Sequence, residues 1–210
     1  MEFTHWLAYA GVALVSILSP GPAILLAVSN SVAYGWRRTA WSSLGNVVGV
    51  MLLAMVTIAG LGALLQASEL LFTALKVLGA GYLIYLGVRQ LRSKNSVFAS
   101  AEASSAQSAR SDRQLFLDGL TLAISNPKAI LFFTALFPQF LDHKAALGPQ
   151  FALLTGTFMV FSFCSLMSYA AAARTTRHWF RSQRNVKIFN RSCGSMFIAL
   201  GAGLLTVQRR

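Results

Sequence analysis

Apolar residues are grouped into long runs along the chain, and short polar or basic segments separate one run from the next. A membrane-spanning helix needs about 20 mainly apolar residues, because each residue adds about 1.5 Å and the hydrocarbon core is roughly 30 Å thick. The runs that meet this requirement cover residues 6–30, 43–65, 70–91, 116–141, 149–172 and 193–207. The pattern therefore predicts an all-α, polytopic membrane protein with six transmembrane helices.

The composition agrees with a membrane-embedded chain. Hydrophobic residues make up 55% and charged residues 11% of the 210 residues, whereas soluble domains carry about 25% charged residues. Residues 93–114, between the third and fourth runs, are rich in alanine, serine and charge, and predict a flexible cytoplasmic loop. We therefore expect one transmembrane domain over residues 1–210, with halves at about 1–92 and 115–210.

Two similar motifs indicate an internal repeat. Residues 19–26 (SPGPAILL) and 125–132 (SNPKAILF) share four of eight positions, and both motifs place proline inside an apolar run. Their offset of 106 residues is half the chain, so each half contains three spans. Because three is an odd number, the halves must cross the membrane in opposite directions. The sequence predicts an inverted 3+3 repeat in which helices one and four are broken.

The prolines place a break deep in each of these two spans. Proline removes a backbone donor and clashes with the preceding turn, so a break exposes backbone groups that lipid cannot satisfy. At such breaks, half-helix amino termini favour a carboxylate and freed carbonyls favour an ammonium, and an amino acid carries both groups. We expect the substrate site here. Its candidate residues are Ser19, Pro20, Gly21, Pro22, Ser125, Asn126, Pro127 and Lys128.

Lys128 is a charged residue within an apolar run, where a charge costs roughly 2.5 to 3.5 kcal/mol on insertion scales. Beside the fourth-span break, its ammonium would attract a substrate carboxylate; the alternative is a lysine that snorkels to the cytoplasmic interface. Asn46 is a further substrate-binding candidate with two interpretations. Either it hydrogen-bonds the substrate, or the Gly45-x-x-x-Gly49 pattern brings another helix close and Asn46 bonds across that contact.

The basic residues produce a net charge of +12, and their distribution indicates a cytoplasmic membrane face rather than a nucleic-acid partner. Thirteen of the eighteen lie in three segments, after spans one, three and five. They are Arg37, Arg38, Arg89, Arg92, Lys94, Arg110, Arg113, Arg174, Arg177, Arg181, Arg184, Lys187 and Arg191. The positive-inside rule puts these three loops in the cytoplasm and both termini in the periplasm.

Three segments resemble the signature regions of the lysine exporter/homoserine exporter family of bacterial amino-acid efflux transporters. They are SPGPAILLAVSNSVAYGWRR, KVLGAGYLIYLGVRQLR and SNPKAILFFTALFPQF. The resemblance covers nearly the whole chain and implies a secondary transporter in the inner membrane, driven by a proton or ion gradient, that exports amino acids or their derivatives. The family's two proline motifs fall on residues 20–22 and 126–128.

The acidic residues narrow the expected cargo. All six lie outside the predicted spans or near their ends, whereas a cationic cargo would be expected to meet a buried carboxylate. We therefore expect neutral amino acids or small derivatives, and the resemblance implies homoserine, its lactone, threonine or leucine as examples. Asp118 is the candidate for proton coupling. The alternative for Asp118 is an acid near a helix amino terminus that the helix dipole stabilises.

Other functional classes fit the residues less well. An enzyme would need a nucleophile with its base or a metal cluster, and the three histidines lie at span margins, far apart in sequence. A metal-ion or other small-solute exporter is the alternative, although the spans lack clustered metal ligands. Cys164 and Cys193 predict small buried residues. We expect no cofactor and a proton as the coupling ion. The sequence also allows a homo-oligomer.

Overall fold

The computed structural model describes residues 3–19, 21–67, 69–92, 110–142, 145–175 and 183–206, and every regular element in these ranges is helical. The α-helices are α1 (Phe3–Leu18), α2 (Pro22–Tyr34), α3 (Trp36–Ala67), α4 (Glu69–Arg92), α5 (Asp112–Ser125), α6 (Pro127–Leu131), α7 (Leu147–Thr175) and α8 (Gln183–Thr206). A π-helical turn, Phe132–Leu136, and a 3-10 turn, Phe137–Phe140, continue α6. The all-α prediction is confirmed for the described ranges.

Two breaks interrupt the helices where the sequence predicts them. Helix α1 ends at Leu18 and α2 begins at Pro22, and the two helices are bent by 53° relative to each other. Helix α5 ends at Ser125, and α6 with its continuation begins at Pro127 after a bend of 51°. The breaks therefore lie at corresponding points of the two aligned motifs.

Two helices are long and apolar enough to cross a membrane by themselves. They are α3, through Trp36–Gly60, and α7, through Leu147–Ala173. The bent pairs, α1 with α2 and α5 with α6 and its continuation, also qualify when each pair is counted as one broken span. The described part of the chain thus contains two clear apolar spans, and four when the bent pairs are included.

Several helices begin before the spans that the sequence predicts. Helix α5 begins at Asp112, so residues 112–114 are helical rather than part of the loop. The reason is a capping box, in which Ser111 Oγ accepts from the Gln114 N–H at 3.3 Å and Gln114 Oε1 accepts from the Ser111 N–H at 2.8 Å. Residues 93–109 of the predicted loop lie outside the described ranges. Helix α8 begins ten residues before the predicted span, at Gln183.

Small residues bring α3 and α5 into backbone contact. A Cβ atom built on Gly45 would lie 1.9 Å from the carbonyl oxygen of Phe116, and one on Gly119 would lie 1.9 Å from that of Ser42. A Cβ atom on Gly49 would lie 2.9 Å from a carbonyl oxygen of the same partner helix. The predicted close approach of another helix to the Gly45-x-x-x-Gly49 pattern is therefore confirmed.

Helices α4 and α8 form a second close pair and run antiparallel. A Cβ atom on Gly87 would lie 2.6 Å from the carbonyl oxygen of Gly194. One turn further along α4, Gln90 Nε2 donates to Asn190 Oδ1 at 2.8 Å. The carboxyl end of α4 therefore lies beside the amino-terminal part of α8.

An aromatic cluster packs the continuation of α6 against α1 and α7. The ring centroid of Tyr9 lies 6.1 Å from those of Phe132 and Phe137, and the rings of Phe133 and Phe158 are 5.0 Å apart. All five side chains are buried. This core holds the segment that follows the fourth-span break against the first span.

The cysteines do not contribute to this core as the sequence suggested. Cys164 is a free thiol exposed on α7, so the prediction of a buried residue is wrong there. Its neighbours Ser162 and Ser165 on the same helix are buried. The side chain of Cys193 lies outside the described part of the chain.

Candidate functional site

The prolines of the first motif leave two backbone carbonyls without helical donors. In an α-helix the N–H of each residue donates to the carbonyl four residues earlier, and proline has no N–H. Pro20 therefore cannot donate a hydrogen bond to the carbonyl of Ser16. Pro22 likewise cannot donate one to the carbonyl of Leu18. Within a membrane, carbonyls that lose their helical donors need replacement donors, so the partners of these two oxygens show which residues surround the break.

Lys128 supplies the donor for the carbonyl of Ser16. Its Nζ lies 2.8 Å from that oxygen and 2.9 Å from the carbonyl oxygen of Ser19. The lysine is half-buried in the first turn of α6, so its side chain reaches from the fourth-span break to the first-span break. The ammonium is held at the carboxyl end of α1, where helix carbonyls carry partial negative charge. The snorkelling interpretation did not include this contact with the first span.

Tyr169 supplies the donor for the carbonyl of Leu18. Its hydroxyl, on α7, donates to that oxygen at 2.9 Å. The next residue of α7, Ala170, accepts a hydrogen bond from Ser31 Oγ on α2, so α7 is tied to both halves of the broken first span. Tyr169 is not among the site residues that the sequence predicts. A count of the carbonyls that each proline leaves unserved would have shown that a second donor was needed.

Asn126 connects the two helices at the fourth-span break. Its N–H donates at 3.2 Å to the carbonyl of Ala123, which Pro127 cannot serve. Its side-chain Oδ1 accepts from the N–H of Lys128 at 3.1 Å and caps α6. Asparagine is a favoured cap and proline a favoured first helical residue, so the Asn-Pro-Lys order itself builds this turn and orients the lysine.

Gly21 lies against the ammonium of Lys128. A Cβ atom at this position would be 3.3 Å from Nζ and 3.6 Å from Cε. The backbone of Gly21 is extended, with φ of −167°, which any residue can adopt. The space beside the ammonium, rather than the backbone conformation, is therefore what a larger residue would disturb.

The remaining residues of the two motifs differ in exposure. Ser19 is buried and gives its carbonyl to the lysine, whereas Pro22, Ser125 and Pro127 are exposed. Pro20 lies outside the described residues. The two motifs thus meet through the lysine side chain, the last carbonyls of the first span and the glycine between the prolines.

Asn46 is buried on α3 and contacts α7. Ser162 Oγ donates to Asn46 Oδ1 at 3.4 Å. Asn46 thus makes a hydrogen bond to another helix, as one of its two interpretations predicts. The partner helix differs, because the bond is to α7 and the helix that packs on Gly45 and Gly49 is α5. Its contact with a substrate stays a prediction.

Asp118 lies in an ion-pair network at the start of α5. Its carboxylate pairs with Arg110. Arg38, on the first turns of α3, pairs with Asp112 at 2.7 Å and donates to the backbone carbonyl of Arg110 at 2.6 Å. The network joins the amino-terminal ends of α3 and α5. Asp118 and Lys128 lie on opposite sides of the fourth-span break, and the proton-coupling role of Asp118 stays a prediction.

Comparison with known proteins distinguishes between the functional classes. The family model described as LysE type translocator matches residues 14–208. The chain belongs to the LysE type translocator family. Homoserine/homoserine lactone efflux proteins of Salmonella typhi and Salmonella typhimurium are each 31% identical over 208 residues, which cover 99% of this chain and 99% of each relative.

A further relative is an uncharacterized membrane protein of Vibrio cholerae serotype O1, 33% identical over 208 residues, or 99% of this chain and 100% of the relative. No solved structure matches the chain. Membership of the family confirms the sequence-based prediction of an amino-acid-type efflux transporter in a membrane, and the prediction that the protein is not an enzyme. Both proline motifs lie within the matched residues.

Proposed function

We propose that this protein exports neutral amino acids or small derivatives across the bacterial inner membrane, with homoserine, homoserine lactone, threonine and leucine as the first cargoes to test. The observation that carries the proposal is the contact of Lys128 with the carbonyls of Ser16 and Ser19, because it joins the two broken spans into one site. This junction combines backbone carbonyls with a cation, which complement the ammonium and carboxylate of an amino acid.

The charges around the junction favour a neutral cargo side chain. Helices α1, α2, α3, α6 and α7 contain no aspartate or glutamate. Asp112 and Asp118, on the helix that precedes the fourth-span break, are paired with arginines. A lysine or arginine cargo would leave its side-chain charge without a carboxylate partner at this site.

The helix packing supports the proposed six-span, inverted 3+3 arrangement. In that arrangement, α1, α3 and α4 of the first half correspond to α5, α7 and α8 of the second half. A contact of α3 with α5 should therefore have a counterpart between α7 and α1, and both contacts are present. Corresponding helices should also meet each other across the repeat, and the contacts of α3 with α7 and of α4 with α8 are present. The substrate site would then lie where the two halves meet.

The proposed orientation places both termini in the periplasm and the basic loops in the cytoplasm. Two contacts support it because each places two of the basic segments next to each other. Arg38 and Arg110 belong to one network, and the Gln90 to Asn190 hydrogen bond sets the basic end of α4 beside the basic start of α8. Energy coupling to a proton or ion gradient completes the proposal, with Asp118 as the candidate proton site.

Transport into everted membrane vesicles tests the cargo. Vesicles with and without the protein are energised, and the uptake of labelled homoserine, homoserine lactone, threonine, leucine, lysine and a transition-metal ion is compared, with a collapsed proton gradient as the control. We expect gradient-dependent uptake of at least one neutral cargo and none of lysine. Equal rates with and without the protein across the panel would contradict the proposal, and uptake of a transition-metal ion alone would support the metal-exporter alternative.

A further inference from the structure

We propose that the carbonyl oxygens of Ser16 and Ser19 form a subsite for a primary ammonium group, which Lys128 occupies in the absence of cargo and yields to the ammonium of the cargo. The identity of the natural ligand, the α-ammonium of an amino acid, rests on the proposed function. The subsite itself rests on the geometry of the broken first span.

Two carbonyl oxygens converge on one nitrogen at the carboxyl end of α1. Their distances of 2.8 and 2.9 Å from Lys128 Nζ are those of charge-assisted hydrogen bonds. Ser16 and Ser19 are 4% and 1% exposed, so water is a poor substitute for the ammonium. Because Pro20 has no N–H, the Ser16 oxygen also lacks its helical donor. The end of a helix adds partial negative charge, which favours a cation here.

Exchange of one ammonium for another preserves these hydrogen bonds. A cargo α-ammonium carries three N–H donors, as the lysine ammonium does, and can donate to the same two oxygens. The lysine side chain is a flexible four-carbon stem, and Gly21 leaves space beside its end. Once displaced, the Lys128 ammonium is available to the carboxylate of the same cargo. Without cargo, the lysine therefore links the two broken spans through the carbonyls of the first span. With cargo bound, its ammonium pairs with the cargo carboxylate.

Refilling the subsite with a small amine tests this directly. Lys128→Ala removes the propylammonium part of the side chain, so propylammonium chloride is the matched probe and tetramethylammonium chloride, which has no N–H, is the control at equal ionic strength. We expect propylammonium to raise the Tm of the purified Lys128→Ala protein by about 3 °C or more relative to tetramethylammonium, because a ligand that binds only the folded state stabilises it. Wild type and Lys187→Ala, whose lysine is exposed on α8, should show no such difference.

Equal effects of the two salts on Lys128→Ala, or the same propylammonium effect on wild type, would overturn the subsite. If Lys128→Ala is not recovered as folded protein in tetramethylammonium, recovery in propylammonium supports the proposal and recovery in neither salt overturns it. The outcome is independent of transport. If propylammonium stabilises Lys128→Ala but the wild type exports no amino acid, the subsite is retained and the proposed function is rejected. If the wild type exports amino acids but propylammonium does not stabilise Lys128→Ala, the proposed function is retained and the subsite is rejected.

Discussion

Two tyrosine hydroxyls, chemically alike but differently placed, test whether the proline-freed carbonyls depend on donors from other helices. The hydroxyl of Tyr169 donates to the carbonyl of Leu18, which Pro22 leaves without a helical donor. The hydroxyl of Tyr9 is buried and has no hydrogen-bond partner among the residues that the structure describes. Replacing either residue with phenylalanine removes one hydroxyl and keeps the ring. We therefore expect Tyr169→Phe, and not Tyr9→Phe, to lower the Tm.

The expected sizes follow from hydrogen-bond energetics. Tyr169→Phe removes the hydrogen bond to the Leu18 carbonyl, and hydrogen bonds between membrane helices are worth about 0.6 to 1.7 kcal/mol by measurement. In a protein of this size, each 1 kcal/mol corresponds to about 2 to 4 °C in Tm, so the Tm should fall by about 1 to 7 °C. Tyr9→Phe removes a buried hydroxyl that was costly to desolvate, so its Tm should stay the same or rise.

Thermal unfolding of the two purified variants and wild type, in one detergent and at one scan rate, measures the difference. The fixed scan rate matters because membrane-protein unfolding is often irreversible and the apparent Tm then depends on it. An unchanged Tm in Tyr169→Phe would refute the dependence of the Leu18 carbonyl on this donor. A fall in Tyr9→Phe as large as that in Tyr169→Phe would show that loss of any tyrosine hydroxyl destabilises the fold.

Three further replacements test the packing and the site. Gly119→Ala places a Cβ atom 1.9 Å from a carbonyl oxygen of α3, so thermal unfolding should show destabilisation of about 3 kcal/mol. A Cβ atom on Gly156 would meet no atom of another described helix within 4 Å, so Gly156→Ala should unfold like wild type. Gly21→Ala crowds the Lys128 ammonium, and vesicle transport should fall about threefold, equivalent to roughly 0.7 kcal/mol; an unchanged rate would refute the importance of that space. Asp118→Asn should abolish the pH dependence of export, and a wild-type pH profile would leave Asp118 with its ion pair alone.

The helices and their breaks were predictable because they depend on local properties of the chain. Span length follows from the apolar runs, and a proline interrupts a helix whatever surrounds it. The similarity of residues 19–26 to residues 125–132 added that the two breaks correspond. The Gly45-x-x-x-Gly49 pattern predicted a close helix contact, since only small residues permit backbones to touch.

The partners across these breaks were not predictable, because they depend on how distant helices pack. The spacing along α7 does not indicate that Tyr169 reaches a carbonyl of the first span. The direction of Lys128 was equally open, and it follows from the packing of α6 and its aromatic continuation against α1. The early start of α5 depended on a reciprocal pair of hydrogen bonds between Ser111 and Gln114, within a segment whose composition indicated a loop.

Export by Lys128→Ala tests the central claim most directly, namely that the junction of the two broken spans is the cargo site. Loss of hydrogen bonds to a charged group costs about 1.5 to 3 kcal/mol, or about ten- to a hundredfold in binding. We predict that gradient-dependent uptake into everted vesicles falls to that of vesicles without the protein, while the amount of membrane-inserted protein matches wild type and Lys187→Ala transports normally. Wild-type export by an equally abundant Lys128→Ala protein would contradict the account and return the lysine to a snorkelling role.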